Sequence, residues 1–309
     1  MKIIVTGGCG FIGSHFVEYT SSLEHEILVI DNFLTGKKSN LILAERNCKI
    51  NIINEDIRNL NKIKSFFKDA DVVVHFAAMT GVIESLEKPI EFSDVNIMGT
   101  LNLLEICREF NIPKFVFAST GAVYGNQSPP FKEDMLPSPI SPYAASKIAG
   151  ENYCNAYNET FDLSCSILRF TNVFGPRKSF GPYANVIPKF VRAGLKSEPI
   201  TIFGDGDQER DFVFVKDIAK ACFLAASNKN SGVFNIATGI NTSVNNLIKK
   251  IEKVLGYDLK KNYVESRLGE AKYAYSSITK AKNELNYTPD YELELGLKEY
   301  VEYERHNQS

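Results

Sequence analysis

The stretch that decides the fold stands at the start of the chain: Lys2-Ile3-Ile4-Val5-Thr6, followed by Gly7-Gly8-Cys9-Gly10-Phe11-Ile12-Gly13. The first run has the β-branched composition of a buried strand, and the second opens a helix-like segment. Glycines at Gly7, Gly10 and Gly13 let the backbone turn tightly, approach a pyrophosphate and pack the following helix on a sheet. The stretch therefore predicts a strand, a dinucleotide-binding loop and a helix.

The first half of the chain alternates short apolar runs with helical patterns. Further β-branched or apolar runs follow at 27–30, 50–53, 72–75, 115–118 and 165–168. Such runs suit parallel strands that are buried on both faces of a sheet. The alternation predicts an α/β fold with a Rossmann-type doubly wound parallel sheet.

After about residue 169, loops rich in glycine and proline break this rhythm. Helical runs recur near 188–194, 215–227 and 244–255. We expect a dinucleotide-binding domain over residues 1–170 and a smaller α+β substrate-binding domain over 171–309, with segments that interleave.

Composition excludes several classes of protein. The 35 basic and 37 acidic residues are nearly balanced and form no long block, so we expect neither a nucleic-acid nor a membrane partner. No apolar stretch is long enough to span a bilayer, and the N-terminus lacks the layout of a signal peptide. The six cysteines form no CxxC pair. We expect a cytoplasmic protein with reduced thiols and no metal site.

Two acidic positions refine the cofactor prediction. Asp31 ends the second strand, where a carboxylate accepts from the adenosine ribose hydroxyls and repels a 2′-phosphate. NAD is therefore favoured over NADP, although Asp31 could also merely terminate the strand. Asp56 and Ile57 end the third strand and are placed to meet the adenine. A loop aspartate without that contact is the alternative there.

A tyrosine and a lysine predict proton transfer. Tyr143 and Lys147 are four residues apart, so on a helix they face the same way. A nearby ammonium and a charged nicotinamide ring both favour the phenolate, which makes Tyr143 the expected general base. The spacing alone also fits an accidental surface pair, but Thr120 at a strand end adds a hydroxyl that can bond the reacting oxygen.

These motifs resemble an extended short-chain dehydrogenase/reductase of the NAD-dependent nucleotide-sugar epimerase/dehydratase branch, closest to UDP-glucose and UDP-N-acetylglucosamine 4-epimerases. The resemblance covers essentially the whole chain. It also rests on His75-Phe76-Ala77-Ala78, the 118–125 segment ending Val123-Tyr124-Gly125, the 169–177 segment ending Gly175-Pro176-Arg177, and the 208–213 and 267–270 segments.

The resemblance implies roles for named residues. Cofactor contacts are expected from Gly7, Gly10, Phe11, Ile12, Gly13, Asp31, Asn32, Asp56, Ile57, Phe76, Ala77, Ala78, Asn96, Ser119, Tyr143, Lys147 and Phe170. UDP-sugar contacts are expected from Thr120, Tyr143, Asn172, Asn185, Val186, Arg210, Arg267, Glu270 and Ala274. The resemblance also implies a homodimer, paired through helices around 96–110 and 143–158.

The type of reaction depends on the fate of the 4-keto sugar that oxidation at C4 produces. Similar enzymes that expel water or carbon dioxide carry an acidic residue just after the Ser-Thr pair, where this chain has Gly121 and Ala122. Neither side chain transfers protons, which favours a 4-epimerase. A 4,6-dehydratase, a uronate 4-epimerase, another epimerase and a non-catalytic NAD-binding scaffold are the alternatives.

One position predicts substrate size. In similar 4-epimerases, the position of Ala274 is bulky when only plain hexoses react and small when N-acetylated sugars are accepted. Ala274 therefore predicts activity on N-acetylhexosamines as well as hexoses. A register slip onto the flanking Tyr273 or Tyr275 would reverse this expectation.

Overall fold

The computed structural model describes residues 1–178, 186–266 and 272–307. The strands are β1 (Lys2–Thr6), β2 (Glu26–Asp31), β3 (Ile50–Asn54), β4 (Val72–His75), β5 (Lys114–Thr120), β6 (Ser164–Phe170), β7 (Asn172–Phe174), β8 (Ile200–Phe203), β9 (Glu209–Arg210), β10 (Phe212–Phe214), β11 (Gly232–Ile236), β12 (Thr242–Ser243), β13 (Lys261–Val264) and β14 (Tyr273–Ala274).

The helices flank these strands in chain order. They are α1 (Phe11–Ser21), α2 (Ile42–Glu45), α3 (Leu60–Ile63), α4 (Val82–Glu87), α5 (Pro89–Ser93), α6 (Gly99–Glu109), α7 (Pro142–Phe161), α8 (Val186–Leu195), α9 (Val215–Ser227), α10 (Val244–Leu255), α11 (Thr279–Leu285) and α12 (Leu293–Asn307). A π-helical turn over Asp94–Met98 joins α5 to α6.

A seven-stranded sheet forms the centre of the molecule. Its strand order is β11-β6-β5-β4-β1-β2-β3, and every pairing within it is parallel. β4 is buried at all four positions, as expected for a strand covered on both faces. The predicted Rossmann-type doubly wound sheet is therefore confirmed.

Helices cover the two faces of the sheet with separate apolar cores. On one face, α1 and α9 pack together and bury Phe16 and Val17 with Ile218. On the other face, α6 and α7 contribute Leu103, Cys154 and their neighbours. Burying each such side chain stabilises the fold by about 1.5–3 kcal/mol. The strands are thereby held rigidly, with their carboxyl ends at one edge.

A third core lies beyond the large sheet. It joins α8, α10 and α12 with β8 and β10. β11 nevertheless returns to pair with β6 at the edge of the large sheet, and α9 packs on α1. The large sheet thus draws on residues from both sides of the division expected at residue 170.

The α7 helix positions the expected catalytic pair. Ser141 begins it, because its Oγ accepts a hydrogen bond from the Ala144 N–H at 3.2 Å, and Pro142 occupies the first turn. The helix runs for 20 residues and ends at Asp162 in the left-handed conformation. Tyr143 therefore lies in the first turn, and Lys147 follows one turn later.

Candidate active site

A cavity of about 1020 Å³ opens at the carboxyl ends of the central strands. Ligands of open α/β sheets bind at this edge, where the strand order changes direction. The cavity continues along β7, β9 and β14, whose residues Asn172, Arg210 and Ala274 line it. The same cavity is therefore lined both by the glycine loop and by residues of the smaller sheets.

The glycine loop leaves space that side chains would fill. Gly7 has a φ of +69°, and a Cβ atom there would lie 2.6 Å from the Ala77 nitrogen. A Cβ at Gly13 would lie 2.2 Å from the Gly7 oxygen. Gly10 precedes α1 without a side-chain cap, and Phe11 and Ile12 line the cavity beside it. The N–H groups at the start of α1 have no side-chain cap, and the glycine loop beside them is open to the cavity. This arrangement suits the binding of a pyrophosphate.

Asp31 lines the cavity at the end of β2. Its carboxylate accepts hydrogen bonds from the N–H groups of Cys9 and Phe33, both at 2.8 Å. Burial raises the pKa of Asp31, and these two bonds act in the opposite direction. Each carboxylate oxygen keeps a lone pair for a ribose hydroxyl. Asp31 therefore also holds the glycine loop to the sheet, a role the sequence analysis did not foresee.

The expected adenine end is organised by a cation that the sequence analysis missed. Arg58 donates to Asp56 at 2.9 and 3.0 Å and to Asp94 at 2.7 Å. Asn32 donates to the same Asp56 carboxylate at 2.9 Å. The hydrogen bonds from Arg58 lower the pKa of Asp56 to about 2. Asn32, Asp56 and Ile57 all line the cavity.

The strand ends bring further predicted residues together. Phe76, Ala77, Ala78, Ser119 and Phe170 line the same cavity. Their arrangement follows from the parallel register, since the carboxyl ends of β4, β5 and β6 lie side by side. Residues at the ends of these three strands thus line the cavity together.

Asn96 is the exception, because its side chain is buried away from the cavity wall. Its Oδ1 accepts from the Met79 N–H at 2.8 Å, and its Nδ2 donates to the Met79 oxygen at 3.0 Å and to Ser146 Oγ at 2.9 Å. The direct cofactor contact expected of Asn96 stays a prediction. In this structure the residue ties the cavity-lining Met79 segment to α7.

Tyr143, Lys147 and Thr120 line one cavity. Burial raises the pKa of the Tyr143 phenol above its usual value of 10, and a hydrogen bond with Thr120 lowers it. The Thr120 hydroxyl also accepts from the Ala122 N–H at 3.2 Å, which orients it. Thr120 therefore acts on the Tyr143 phenol in the direction that favours the phenolate.

Lys147 is engaged elsewhere. Its Nζ donates to the Ala118 oxygen at 3.0 Å and lies 4.9 Å from the centre of the Phe117 ring. Burial lowers the pKa of Lys147 to about 8. The effect of Lys147 on the pKa of Tyr143 stays a prediction. A positively charged nicotinamide ring beside Tyr143 would act in the same direction.

The substrate side of the cavity has an ordered wall. Asn172 donates to the Asp211 oxygen at 3.2 Å, and Arg210 donates to the Glu209 oxygen at 2.8 Å. Ala274 pairs with Arg210 across β14 and β9 and packs beside Phe131. Tyr273 is 45% exposed.

Val186 is a described residue, predicted to contact the substrate, that does not line this cavity. Val186 begins α8 and packs against the third core. Asn185, Arg267 and Glu270 lie outside the described residues. Their contacts stay predictions.

A second cation was also missed. Lys178 lines the cavity, donates to the Val173 oxygen and lies 5.3 Å from the centre of the Phe11 ring. Burial lowers its pKa to about 8. A lysine in a loop carries no periodic signal, so only the fold shows that it faces the cavity.

Metal and membrane features are absent from the described part of the chain. Residues 1–178, 186–266 and 272–307 contain no group of three or more His, Cys, Asp or Glu placed to hold a metal ion. Within the same ranges, no helix combines the length and apolar character needed to cross a membrane.

Comparison with known families identifies the class of this cavity. The model of the NAD dependent epimerase/dehydratase family matches residues 3–237. The chain belongs to this family. Its members depend on NAD, which fits the glycine cradle and the Asp31 carboxylate described above. NAD, when bound, supplies the uptake and return of a hydride.

Relatives extend the match along the whole chain. A Methanocaldococcus jannaschii protein, provisionally named a UDP-glucose 4-epimerase, is 41% identical over 99% of both chains. The structure of a Methanobrevibacter ruminantium UDP-N-acetylglucosamine 4-epimerase in complex with UDP-N-acetylmuramic acid has a TM-score of 0.94 and 38% identity, and covers 99% of this chain and 98% of its own.

A Bacillus cereus UDP-glucuronic acid 4-epimerase, in complex with UDP-glucuronic acid and NAD, has a TM-score of 0.91 and 35% identity. The match covers 99% of this chain and 100% of that one. This chain is thus an enzyme of the UDP-sugar 4-epimerase family.

Proposed function

We propose that the protein catalyses NAD-dependent 4-epimerisation of a UDP-hexose or UDP-N-acetylhexosamine through a transient 4-keto sugar. The observation that carries the proposal is the meeting of Thr120, Tyr143 and Lys147 in one cavity with the glycine cradle. A complete set of reacting groups favours an enzyme over a non-catalytic scaffold.

Each residue has a chemical role in this proposal. Tyr143 takes the proton of the sugar C4 hydroxyl while the C4 hydride leaves for the nicotinamide ring that NAD would supply. It returns the proton when that hydride is added back to the other face of the keto sugar. Thr120 bonds the reacting oxygen and the phenol. Lys147, fixed by the Ala118 oxygen at 3.0 Å, holds the nicotinamide ribose. Arg210 supplies a forked donor for the substrate diphosphate.

The residues after Thr120 argue against elimination. Expelling the C6 hydroxyl needs an acid and a base beside the sugar. Gly121 and Ala122 line the cavity at that point and offer neither. A Cβ at Gly121 would lie 3.5 Å from the Phe170 oxygen, an ordinary contact, so space does not dictate the glycine.

The wall at Ala274 supports acceptance of N-acetylated sugars. Ala274 lines the cavity, whereas Tyr273 on the same short strand is 45% exposed. This arrangement supports Ala274, and not Tyr273, as the residue that limits the size of the sugar. UDP-glucuronate is the second candidate substrate, because Lys178 brings a cation to the cavity that could pair with a uronate.

Proton NMR of separate incubations tests the proposal. UDP-N-acetylglucosamine, UDP-glucose, UDP-glucuronate and dTDP-glucose would each be mixed with the purified protein without added NAD. We expect conversion of UDP-N-acetylglucosamine to its galacto isomer with unchanged mass. A 4-keto-6-deoxy product would show a dehydratase instead. Turnover of UDP-glucose alone would contradict the inference that Ala274 leaves room for N-acetylated sugars.

Tyr143→Phe is the matched variant for this test. Losing the general base should lower kcat by about 10²–10⁴-fold. NAD retention should stay close to the parent level, because the substitution keeps the aromatic ring and leaves the glycine cradle untouched. Unchanged turnover in Tyr143→Phe would contradict the proposed mechanism.

We also propose a homodimer in which a second copy covers the helices around 96–110 and 143–158, together with the adjoining apolar surface on α4 and α5. Leu86 and Ile90 are 60% and 84% exposed, and Met98, Tyr153 and Phe161 are 49%, 38% and 46% exposed. Light scattering should give the mass of a homodimer, and Ile90→Glu should reduce it to a monomer. A monomeric parent would contradict this interface.

We propose that the protein works in the cytoplasm. Its six cysteines are free, as expected where thiols are kept reduced.

A further inference from the structure

A buried chain of polar side chains starts on the helix that carries Tyr143 and Lys147. Glu151 lies one turn beyond Lys147 on α7 and is 2% exposed. Its carboxylate accepts from Arg169 on β6, at 3.0 Å from Nε and 2.6 Å from one terminal nitrogen. Ser119 on β5 donates to the same carboxylate. The catalytic helix is thereby bonded to two strands beneath it.

The chain continues through Tyr124. The other terminal nitrogen of Arg169 donates a hydrogen bond to the Tyr124 hydroxyl at 2.9 Å. The Arg169 guanidinium lies 4.8 Å from the centre of the Tyr124 ring. The Tyr124 hydroxyl then donates to Asn235 Oδ1 at 2.8 Å. Tyr124 and Asn235 are both 0% exposed. Every step is a hydrogen bond shielded from water.

Asn235 connects this chain of hydrogen bonds to the wall of the cavity. It lies on the edge strand β11, where its N–H, unpaired within the sheet, donates to the Glu133 carboxylate at 2.8 Å. Its Nδ2 donates to the Phe131 oxygen at 3.1 Å. The Phe131 ring stacks on Tyr124 with centroids 4.8 Å apart and lines the cavity.

Phe131 is joined in turn to the strand of Ala274. Its N–H donates to the Tyr275 oxygen at 2.9 Å, and its oxygen accepts from the Ser277 N–H at 2.9 Å. Phe131 and Ala274 therefore form one surface, the sugar wall. Its position is set through bonds that lead back to the catalytic helix.

Stability alone is a weak reason for such a chain. Burying an ion pair costs desolvation that its attraction only partly repays, so well-packed apolar residues often do as well. Fully bonded buried networks, by contrast, specify one arrangement of the elements they join. Glu151, Arg169, Tyr124 and Asn235 are all absent from the described residues that line the cavity. They are suited to positioning other residues.

We propose that Glu151, Arg169, Tyr124 and Asn235 form a positioning chain that keeps the sugar wall in register with Tyr143 and Lys147. The proposal rests on the proposed function, because the wall is taken to contact the sugar. Tyr124 and Asn235 are then positioning residues for substrate binding, although neither touches the substrate.

Tyr124→Phe removes the central link and keeps the aromatic stack. Its matched control is Tyr157→Phe on α7, whose hydroxyl donates to Glu105 and whose side chain lies outside the cavity lining. We expect Tyr124→Phe to raise KM for the nucleotide sugar by about tenfold, the effect of one lost buried hydrogen bond. The value of kcat should change by less than about twofold, because the wall binds ground state and transition state alike.

A second readout does not depend on turnover. Hydrogen exchange of the amides in 131–135 and 273–277 should be faster in Tyr124→Phe than in Tyr157→Phe. Asn235→Leu, of similar volume, should accelerate the same amides, and it replaces Tyr124→Phe if that variant does not fold.

The outcomes separate the two proposals. A parent that turns over no nucleotide sugar would end the proposed function, while accelerated exchange confined to the two segments would still support the positioning chain. Exchange or KM equal to that of Tyr157→Phe would overturn the positioning chain and leave the proposed function standing.

Discussion

The Lys147 ammonium donates to the Ala118 carbonyl oxygen at 3.0 Å, and the two residues come from α7 and β5. This bond fixes the amine at the carboxyl end of β5 rather than leaving it free in the cavity. Lys147 is 3% exposed, and burial lowers its pKa to about 8. The cation is therefore close to losing its charge under mildly alkaline conditions.

A pH profile tests this property of Lys147. The ammonium is charged below its pKa of about 8 and neutral above it, so activity that needs the cation should fall as the pH rises through about 8. Steady-state rates between pH 6 and 10 measure this alkaline limb. Glu151→Gln should move the limb to lower pH, because the Glu151 charge raises the pKa of Lys147. A flat profile up to pH 10 would contradict the prediction.

Gly13→Ala should empty the cofactor site. The added Cβ would lie 2.2 Å from the Gly7 oxygen, which is backbone and cannot move aside without deforming the cradle. We expect loss of most bound NAD, measured by mass spectrometry under native conditions. Gly121→Ala is the control, since its Cβ meets only an ordinary contact at 3.5 Å. Equal NAD content in the two variants would be evidence against the cradle.

The features that sequence predicted are local ones. The glycine loop and the spacing of Tyr143 and Lys147 lie within a single strand, turn or helix, so their residues are neighbours before the chain folds. The placement of Thr120 followed from one added rule, that parallel strands end at a common edge.

The features that sequence did not predict depend on distant pairs. Asn96 bonds to Ser146, and Tyr124 to Asn235, across 50 and 111 positions in the sequence. No periodicity links such residues. The Asp31 carboxylate shows the same limit, because its bond to Cys9 becomes visible only when β1 and β2 are paired.

Asp217 should make folding stability depend on pH. It is 1% exposed and accepts from the N–H groups of Asp290 and Tyr291 at 2.8 and 3.2 Å. Burial, the largest cause, raises its pKa to about 6. A raised carboxyl pKa gives stability that is fully present below the unfolded value near 4 and is lost as the pH rises through about 6.

The Asp217→Asn variant isolates this contribution. The difference in unfolding free energy between parent and variant should fall between pH 4 and 7, by at most roughly 3 kcal/mol. Denaturant titrations at several pH values measure this difference, and subtracting the variant from the parent removes the contribution of the other titrating groups. A difference that is constant with pH would show that Asp217 titrates normally.

Ala274→Tyr tests whether the sugar wall limits substrate size. Ala274 is held against Phe131 in the cluster with Val123 and Tyr124, so a larger side chain there has the cavity as its open direction. A phenol ring would occupy the room that an acetamido group needs. We expect turnover of UDP-N-acetylglucosamine to fall by at least about tenfold relative to UDP-glucose, a steric discrimination of ordinary size.

Tyr273→Phe is the control on the same strand, because Tyr273 is 45% exposed. It should leave the ratio of kcat/KM for the two sugars unchanged. If Ala274→Tyr lowers both activities equally, the wall excludes the nucleotide sugar as a whole and the acetamido argument fails. If Tyr273→Phe alone changes the ratio, the residue that contacts the sugar is Tyr273, and the substrate prediction must be reversed.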